Sequence, residues 1–251
     1  MIFEKTYRPS DPLNHFVDLI WIGKASNLEV SSTHHAALFT ELIFNYGDGF
    51  QVKGQNVEQM VNKEDHHIIS GLKTEPFQTQ IDGMYGSIGL ILKPYCYGML
   101  IDQFGTQAME RVSEILYETL FDCKEPNFIK VEQHLLTLFR RPQLDVDLLK
   151  FEQYISRKLL EKGALSDFNL SISISQKSFI QKFKRHYLLT PSNYIKLKKV
   201  NAAIQLLQKN SGDKLIDIGL DAGFYDQSHF IKIFKKFCGQ KPKEFRKFEG
   251  G

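Results

Sequence analysis

The sequence predicts an α+β protein in two parts: a small β-barrel or sandwich with accessory helices over residues 1–141, and an all-α domain over residues 145–251 built from two similar helical units joined by a linker helix. Three observations carry this expectation. Residues 1–144 hold 12 Lys and Arg against 18 Asp and Glu, a balance of −6, whereas residues 145–251 hold 20 against 11, a balance of +9. The apolar pattern changes from short β-like segments to helical spacing. A segment of the basic half also recurs 51 residues later, which marks a two-copy structural unit.

The 251 residues are 42% hydrophobic and 24% charged, a globular composition of a size for one large domain or two ordinary ones. The longest apolar run, around Ile88 to Leu92, falls far short of the ~20 residues of a membrane helix, and Glu4, Lys5 and Arg8 argue against a signal peptide. The expectation is a soluble cytoplasmic protein with no membrane partner. Cys96, Cys123 and Cys238 lie far apart without a Cys-x-x-Cys pair, so free thiols in a reducing compartment are expected. A basic half beside an acidic half points to a polyanion partner for the basic one.

In the first part, Leu38 to Tyr46, Gln51 to Lys53, His67 to Ile69, Phe77 to Ile81 and Ser87 to Leu92 are rich in β-branched, aromatic and aliphatic residues. Gly47-Asp48-Gly49, Lys53-Gly54, Ser70-Gly71 and Asp82-Gly83 supply turns between them. Helical spacing takes over in Met99 to Phe104, Ala108 to Phe121 and Phe128 to Phe139, and Arg140-Arg141-Pro142-Gln143 marks the domain boundary.

The basic half opens with a helix over Asp145 to Lys162, with an apolar stripe of Leu148, Leu149, Phe151, Ile155, Leu159 and Leu160 and a stop at Gly163. Aligning Ser178–Lys196 with His229–Lys247 matches Phe179/Phe230, Ile180/Ile231, Phe183/Phe234, Lys184/Lys235, Pro191/Pro242 and Lys196/Lys247. In the second copy, Lys214 to Leu220 is a short helix, Gly223 a turn residue and Asp226 the cap of a helix to Phe237. That helix has Phe230, Ile233, Phe234 and Phe237 on one side and Gln227, Ser228, Lys232, Lys235 and Lys236 on the other. A short helix, a tight turn and a second helix with one basic-polar face describe a helix-turn-helix unit. The first copy has its second helix over Gln176 to Tyr187, capped by Ser175, with Lys177, Ser178, Gln181, Lys182, Lys184 and Arg185 outside. Its leading helix, placed over Asp167 to Ile174, is poorly written. The linker helix runs from Pro191 to Gln208, about 27 Å at 1.5 Å per residue, a rod suited to two reading helices near the ~34 Å spacing of successive major grooves.

The stretch Asp217 to Phe237, Asp-Ile-Gly-Leu-Asp-Ala-Gly-Phe-Tyr-Asp-Gln-Ser-His-Phe-Ile-Lys-Ile-Phe-Lys-Lys-Phe, followed by Gly239, Pro242 and Arg246, resembles the signature of the AraC/XylS family of transcriptional regulators. The resemblance covers roughly residues 147–248 and implies a seven-helix DNA-binding domain with two helix-turn-helix units. Residues 1–141 resemble, more loosely, a domain of unknown function often found before such domains, through Phe16 to Trp21, Leu42-Ile43-Phe44-Asn45, Gly71 and Leu92-Lys93-Pro94. In the family that position hosts effector sensing or dimerisation; no ligand motif is matched. Lys199 stands where relatives often carry arginine, and Leu188 replaces a frequent glycine that Gly239 keeps in the second copy.

Position on each recognition helix assigns roles. Lys177, Ser178 and Gln181 in the first, with Gln227, Ser228, His229 and Lys232 in the second, are the expected base readers; lysine suits guanine O6 and N7, glutamine adenine N6 and N7. Lys184, Arg185, Lys235, Lys236 and Lys243 are assigned to phosphate, which positions the protein without reading sequence. The partners expected are double-stranded DNA, a small-molecule effector, a second copy in a homodimer and, for an activator, RNA polymerase. No cofactor is expected.

Other readings have less support. His34-His35 and His66-His67, with Glu41, suggest a cupin-like metal site, but the spacing His-x-His followed by glutamate is missing, and adjacent residues on a strand point to opposite faces. No metal is therefore expected. An enzyme is disfavoured because no nucleophile elbow, phosphate-binding loop or dinucleotide fingerprint occurs. The alternative is that residues 1–141 are a cupin-like small-molecule-binding or enzymatic domain carrying the primary activity, or that they only dimerise. A polar interior with convergent donors supports sensing, a filled apolar one dimerisation.

Overall fold

The computed structural model describes residues 2–54, 58–61, 67–98, 106–138, 145–159, 161, 164–209 and 213–249. The helix expected at Met99–Phe104, the boundary at Arg140–Gln143, Leu160, Gly163 and His66 lie outside the described residues. The chain separates into two compact units.

Among the described residues the first unit has an antiparallel sheet of seven strands: β1 (Ile2–Tyr7), β2 (Val17–His34), β3 (Thr40–Asn45), β4 (Phe50–Gly54), β5 (Glu58–Val61), β6 (Ile68–Ser70) and β7 (Phe77–Leu92). Their order is β1-β2-β7-β3-β6, with β4 pairing both β5 and β7. The sixteen-residue β7 is the spine, because its second half lies between β2 and β3 and its first half between β2 and β4. Ile20, Ile22, Leu42, Phe44, Ile88, Leu90 and Leu92 alternate onto one buried face. Helix α1 (Thr106–Leu116), continued by a π-helical turn (Tyr117–Phe121), and helix α2 (Phe128–Leu138) belong to the same unit. Tyr46 Oη donates to the Ser113 carbonyl at 2.8 Å, and Tyr7 and Ser10 donate to Glu132.

Two expectations for this half need correcting. Phe77–Ile81 and Ser87–Leu92 are one strand: Gly83 adopts φ +121°, Asp48 Oδ2 accepts the Met84 N–H at 2.7 Å, and the opposing β2 shifts register between Ala25 and Leu28. Asp82-Gly83 is therefore part of a bulge rather than a chain reversal. Strands β1, β2 and β5 were not foreseen as such. β1 is an edge strand almost wholly exposed, so it carries no inward alternation to read.

Among the described residues after 144 the second unit has seven helices: α3 (Val146–Lys158), α4 (Ala164–Ser171), α5 (Gln176–Tyr187), α6 (Pro191–Lys209), α7 (Leu215–Asp221), α8 (Gln227–Cys238) and α9 (Pro242–Glu249). Helices α5 and α8 are offset by 51 residues at both ends, and α6 and α9 begin on prolines with the same offset. Helix α4 starts earlier than the sequence suggests and is also in register with α7. At equivalent places stand Phe168, whose ring lies 5.3 Å from Phe179, and Gly219, where a Cβ would come within 3.0 Å of the Phe230 ring. A phenylalanine fills the space in one copy, and a glycine vacates it in the other.

Aromatic packing forms the first bundle: Phe151, Phe168, Phe179, Phe183, Tyr187 and Tyr194 are buried, with Phe183 and Tyr187 stacked at 3.9 Å. In the second, Leu197, Val200, Ala203, Ile218, Phe230, Phe234, Phe237 and Phe245 form one cluster. This unit also includes His35–Leu38 and Leu72–Pro76. Ala36 belongs to the same cluster, Ala37 and Lys73 exchange backbone hydrogen bonds of 3.0 and 3.2 Å, and His35 meets Phe245 edge-on at 4.9 Å.

Candidate nucleic-acid interface

Helices α5 and α8 start in the same way. Ser175 Oγ accepts the Ser178 N–H at 3.1 Å and Asp226 Oδ1 accepts the His229 N–H at 2.7 Å, so each cap satisfies one orphan amide at equivalent positions. With their phenylalanines fully buried, each helix turns a single polar face outward.

Lys177, Ser178 and Gln181 are exposed on α5, as are Gln227, Ser228, His229 and Lys232 on α8. Ser178 shares a hydroxyl contact with Ser175 at 2.8 Å, and the His229 ring lies edge-on to Phe224 at 5.8 Å, so both side chains also serve the local structure. Lys184, Arg185, Lys235 and Lys236 are exposed in the last turns, where cations also favour the helix dipole, and Lys243 is exposed on α9.

Lys182 is different from its expected exposed role. Its ammonium lies 3.0 Å from Asp145 and 2.7 Å from Asp147, tying α5 to the start of α3. Burial works against both charges in the Lys182–Asp145 pair, but their hydrogen bonds outweigh it, raising the lysine pKa and lowering that of Asp145. Asp145 also caps α3 by accepting the Asp147 and Leu148 N–H groups. A residue not singled out from the sequence is Tyr225, 72% exposed immediately before the Asp226 cap. Tyr225 follows the buried Phe224 in the turn, and no periodic signal tells which of the two adjacent rings faces outward; the fold decides it.

The linker helix α6 holds both bundles. Lys198 Nζ lies 3.2 Å from Glu152 on α3, and Glu152 accepts from Tyr187 Oη at 2.8 Å. Lys199 Nζ donates to the carbonyl of Gly223, the φ +82° residue between α7 and α8.

In the first unit, His34 Nε2 lies 2.8 Å from Thr79 Oγ1 and its ring stacks on Phe77, while His67 lies 6.2 Å from Phe44. Among the described residues no group of three or more His, Cys, Asp or Glu side chains is arranged to hold a metal ion. No described helix is long and apolar enough to cross a membrane.

Comparison with known proteins adds to this geometry. Residues 171–247 match a family model described as a helix-turn-helix domain, and residues 5–110 match one described as a domain of unknown function (DUF6597). The chain is similar to the probable transcriptional regulator LumQ of Photobacterium leiognathi, with 22% identity over 204 residues and 80% of each chain covered. It is 28% identical over 97 residues to the HTH-type transcriptional regulator ExsA of Pseudomonas aeruginosa, covering 39% of this chain and 34% of the relative. An uncharacterized HTH-type transcriptional regulator of Haemophilus influenzae is 29% identical over 75 residues, 30% of this chain and 25% of that one. The chain thus spans a quarter to a third of the length of two of these relatives. Among solved structures it is similar to ToxT of Vibrio cholerae, with a TM-score of 0.48 at 14% identity, covering 100% of this chain and 99% of that one. Over residues 171–247 the chain thus matches a helix-turn-helix domain, and the proteins it is similar to in sequence are transcriptional regulators.

Proposed function

We propose that the protein is a sequence-specific DNA-binding regulator, not an enzyme, acting in the cytoplasm and inserting α5 and α8 into successive major grooves of one duplex. The carrying observation is the repeat: two capped helices of equal length, each with its apolar side buried and its basic-polar side outside, joined by the nineteen-residue α6. Lys177, Ser178, Gln181, Gln227, Ser228, His229 and Lys232 read base edges, while Lys184, Arg185, Lys235, Lys236 and Lys243 grip phosphates. The domains of this reading are residues 1–141 and 145–251.

The first part modulates binding through a small-molecule effector or through a homodimer, with RNA polymerase as a further partner if the protein activates. One sheet face favours an effector. Trp21 Nε1 donates to Glu41 Oε1 at 3.1 Å, and a Cβ at Gly23 or Gly89 would strike the Tyr85 or Trp21 ring. Burial pushes the Tyr85 hydroxyl up to about 12, which keeps it a neutral donor at physiological pH. A sheet face that carries aromatic rings beside a few polar groups has the chemistry a small ligand uses.

Selection of bound sequences from a random DNA pool, with and without candidate metabolites, tests the reading. The expected product is a bipartite motif with half-sites about 10 to 10.5 base pairs apart. A pool that stays random after several rounds sinks it.

A further inference from the structure

Lys198 and Lys199 are neighbours on α6, and side chains one residue apart leave a helix in directions about 100° apart. They reach different bundles. Lys198, with its side chain 17% exposed, pairs with the equally enclosed Glu152 and lies 5.2 Å over the Tyr194 ring, all in the aromatic core region of the first bundle. Lys199 is half-buried and gives its ammonium to a backbone carbonyl at 2.5 Å. Burial lowers its pKa, so the site opposes the charge it holds.

The carbonyl it meets belongs to Gly223, at the bend where the chain leaves α7 for α8. Around that bend the backbone hydrogen bonds are local: the Gly223 N–H donates to Leu220 and the Phe224 N–H to Gly219. These bonds fix the turn's shape, while its direction relative to α6 is left to the packing of Ala222 and Phe224 in the cluster with Leu197 and Val200 and to the Lys199 bond. The Lys199 bond spans from the linker helix to the bend; a charge-assisted hydrogen bond is roughly twice as strong as a neutral one and, unlike apolar packing, fixes a direction.

We propose that Lys199 is a positioning residue for DNA reading: it sets the angle at which α8 leaves the linker helix and hence the half-site spacing that the two recognition helices accept together. Lys198 does the corresponding work for the first bundle through Glu152. Neither lysine touches DNA in this account. The proposal rests on the two-groove reading above.

The test uses the full chain, the duplex selected for the wild type, duplexes with one or two base pairs inserted between its half-sites, and a duplex keeping only the half-site read by α8. Fluorescence anisotropy gives each affinity. Lys199→Met is expected to reduce the wild-type preference for native over altered spacing by about tenfold, while single-half-site affinity stays within about threefold. Lys199→Arg, which keeps a charged donor, is expected to restore most of the preference. If Lys199→Met melts below the assay temperature, Lys199→Gln is measured in its place. A variant that keeps the wild-type spacing preference overturns the proposal alone, as does an equal loss on single and paired half-sites, which would make Lys199 a DNA contact or a general support. A wild type indifferent to spacing overturns the two-groove reading first, and the proposal with it.

Discussion

Leu188 and Gly239 occupy equivalent positions 51 residues apart, each as the residue ending a recognition helix, and both take the left-handed backbone with φ +58° and +75°. Each also returns its N–H to the helix, Leu188 to the Lys184 carbonyl and Gly239 to that of Lys235. The fold therefore demands the same cap in both copies, although only one has the residue suited to it.

Leu188 is 56% exposed, so replacing it with glycine loses little burial while relieving left-handed strain of about 1 kcal/mol. Leu188→Gly is expected to stabilise the helical unit by about that amount in chemical denaturation. Gly239→Leu is expected to destabilise it, because the same strain is joined by a Cβ only 2.9 Å from Pro76 Cγ.

Ala36 is 4% exposed within the core of the second bundle although it precedes that bundle by more than a hundred residues in sequence. Ala36→Asp places an unpaired carboxylate there and is expected to cost about 3 to 5 kcal/mol. Ser31→Asp, at an exposed strand position, is expected to stay within about 0.5 kcal/mol. Equal melting of wild type and Ala36→Asp would remove this segment from the core.

Base readers and phosphate grips separate by their dependence on sequence and salt. Lys232→Ala is expected to lose about 1 to 3 kcal/mol on the selected site and much less on random DNA. Lys235→Ala is expected to weaken both alike and to lower the slope of log affinity against log salt by about 1. Equal losses for Lys232→Ala on both DNAs would reassign it to phosphate.

The Lys182–Asp145 pair gives the helical unit a pH dependence with two arms. The Asp145 pKa is depressed on folding, so its contribution is present above the unfolded value near 4 and is lost as pH falls through the folded one. The Lys182 pKa is raised, so its contribution is full below about 10.5 and is lost as pH rises through the folded value. Asp145→Asn keeps a capping side chain and is expected to flatten the acid arm in melting curves taken from pH 2 to 11 while leaving most of the alkaline one, because Asp147 still holds Lys182 at 2.7 Å. An unchanged acid arm would show that other carboxylates carry it.

The recognition helices were legible because everything that specifies them is local. Ser175 and Asp226 cap them, phenylalanines at helical spacing bury one side, and copies 51 residues apart check each other. Helix α4 was misplaced because Phe168 stands where the second copy has Gly219, and the compensation between ring and vacancy exists only across the helix pair. In the sheet, the exposed β1 lacks the alternation that betrays a half-buried strand, whereas the outer half of β7 alternates and reads as a strand; its continuity through Gly83 and its pairing partners are not legible one strand at a time.

By itself the sequence determined the two-part division of charge, the duplicated helical unit, its caps and its buried aromatic stripe, since each depends on residues within one or two helical turns. Tertiary structure decided which charges remain outside. It took Lys182 into a bridge with Asp145 and Asp147, sent Lys198 and Lys199 to different bundles, and set Ala36 among residues of the second bundle. Those outcomes depend on which distant groups meet after the apolar surfaces are buried, and that competition between desolvation and pairing is settled only in three dimensions.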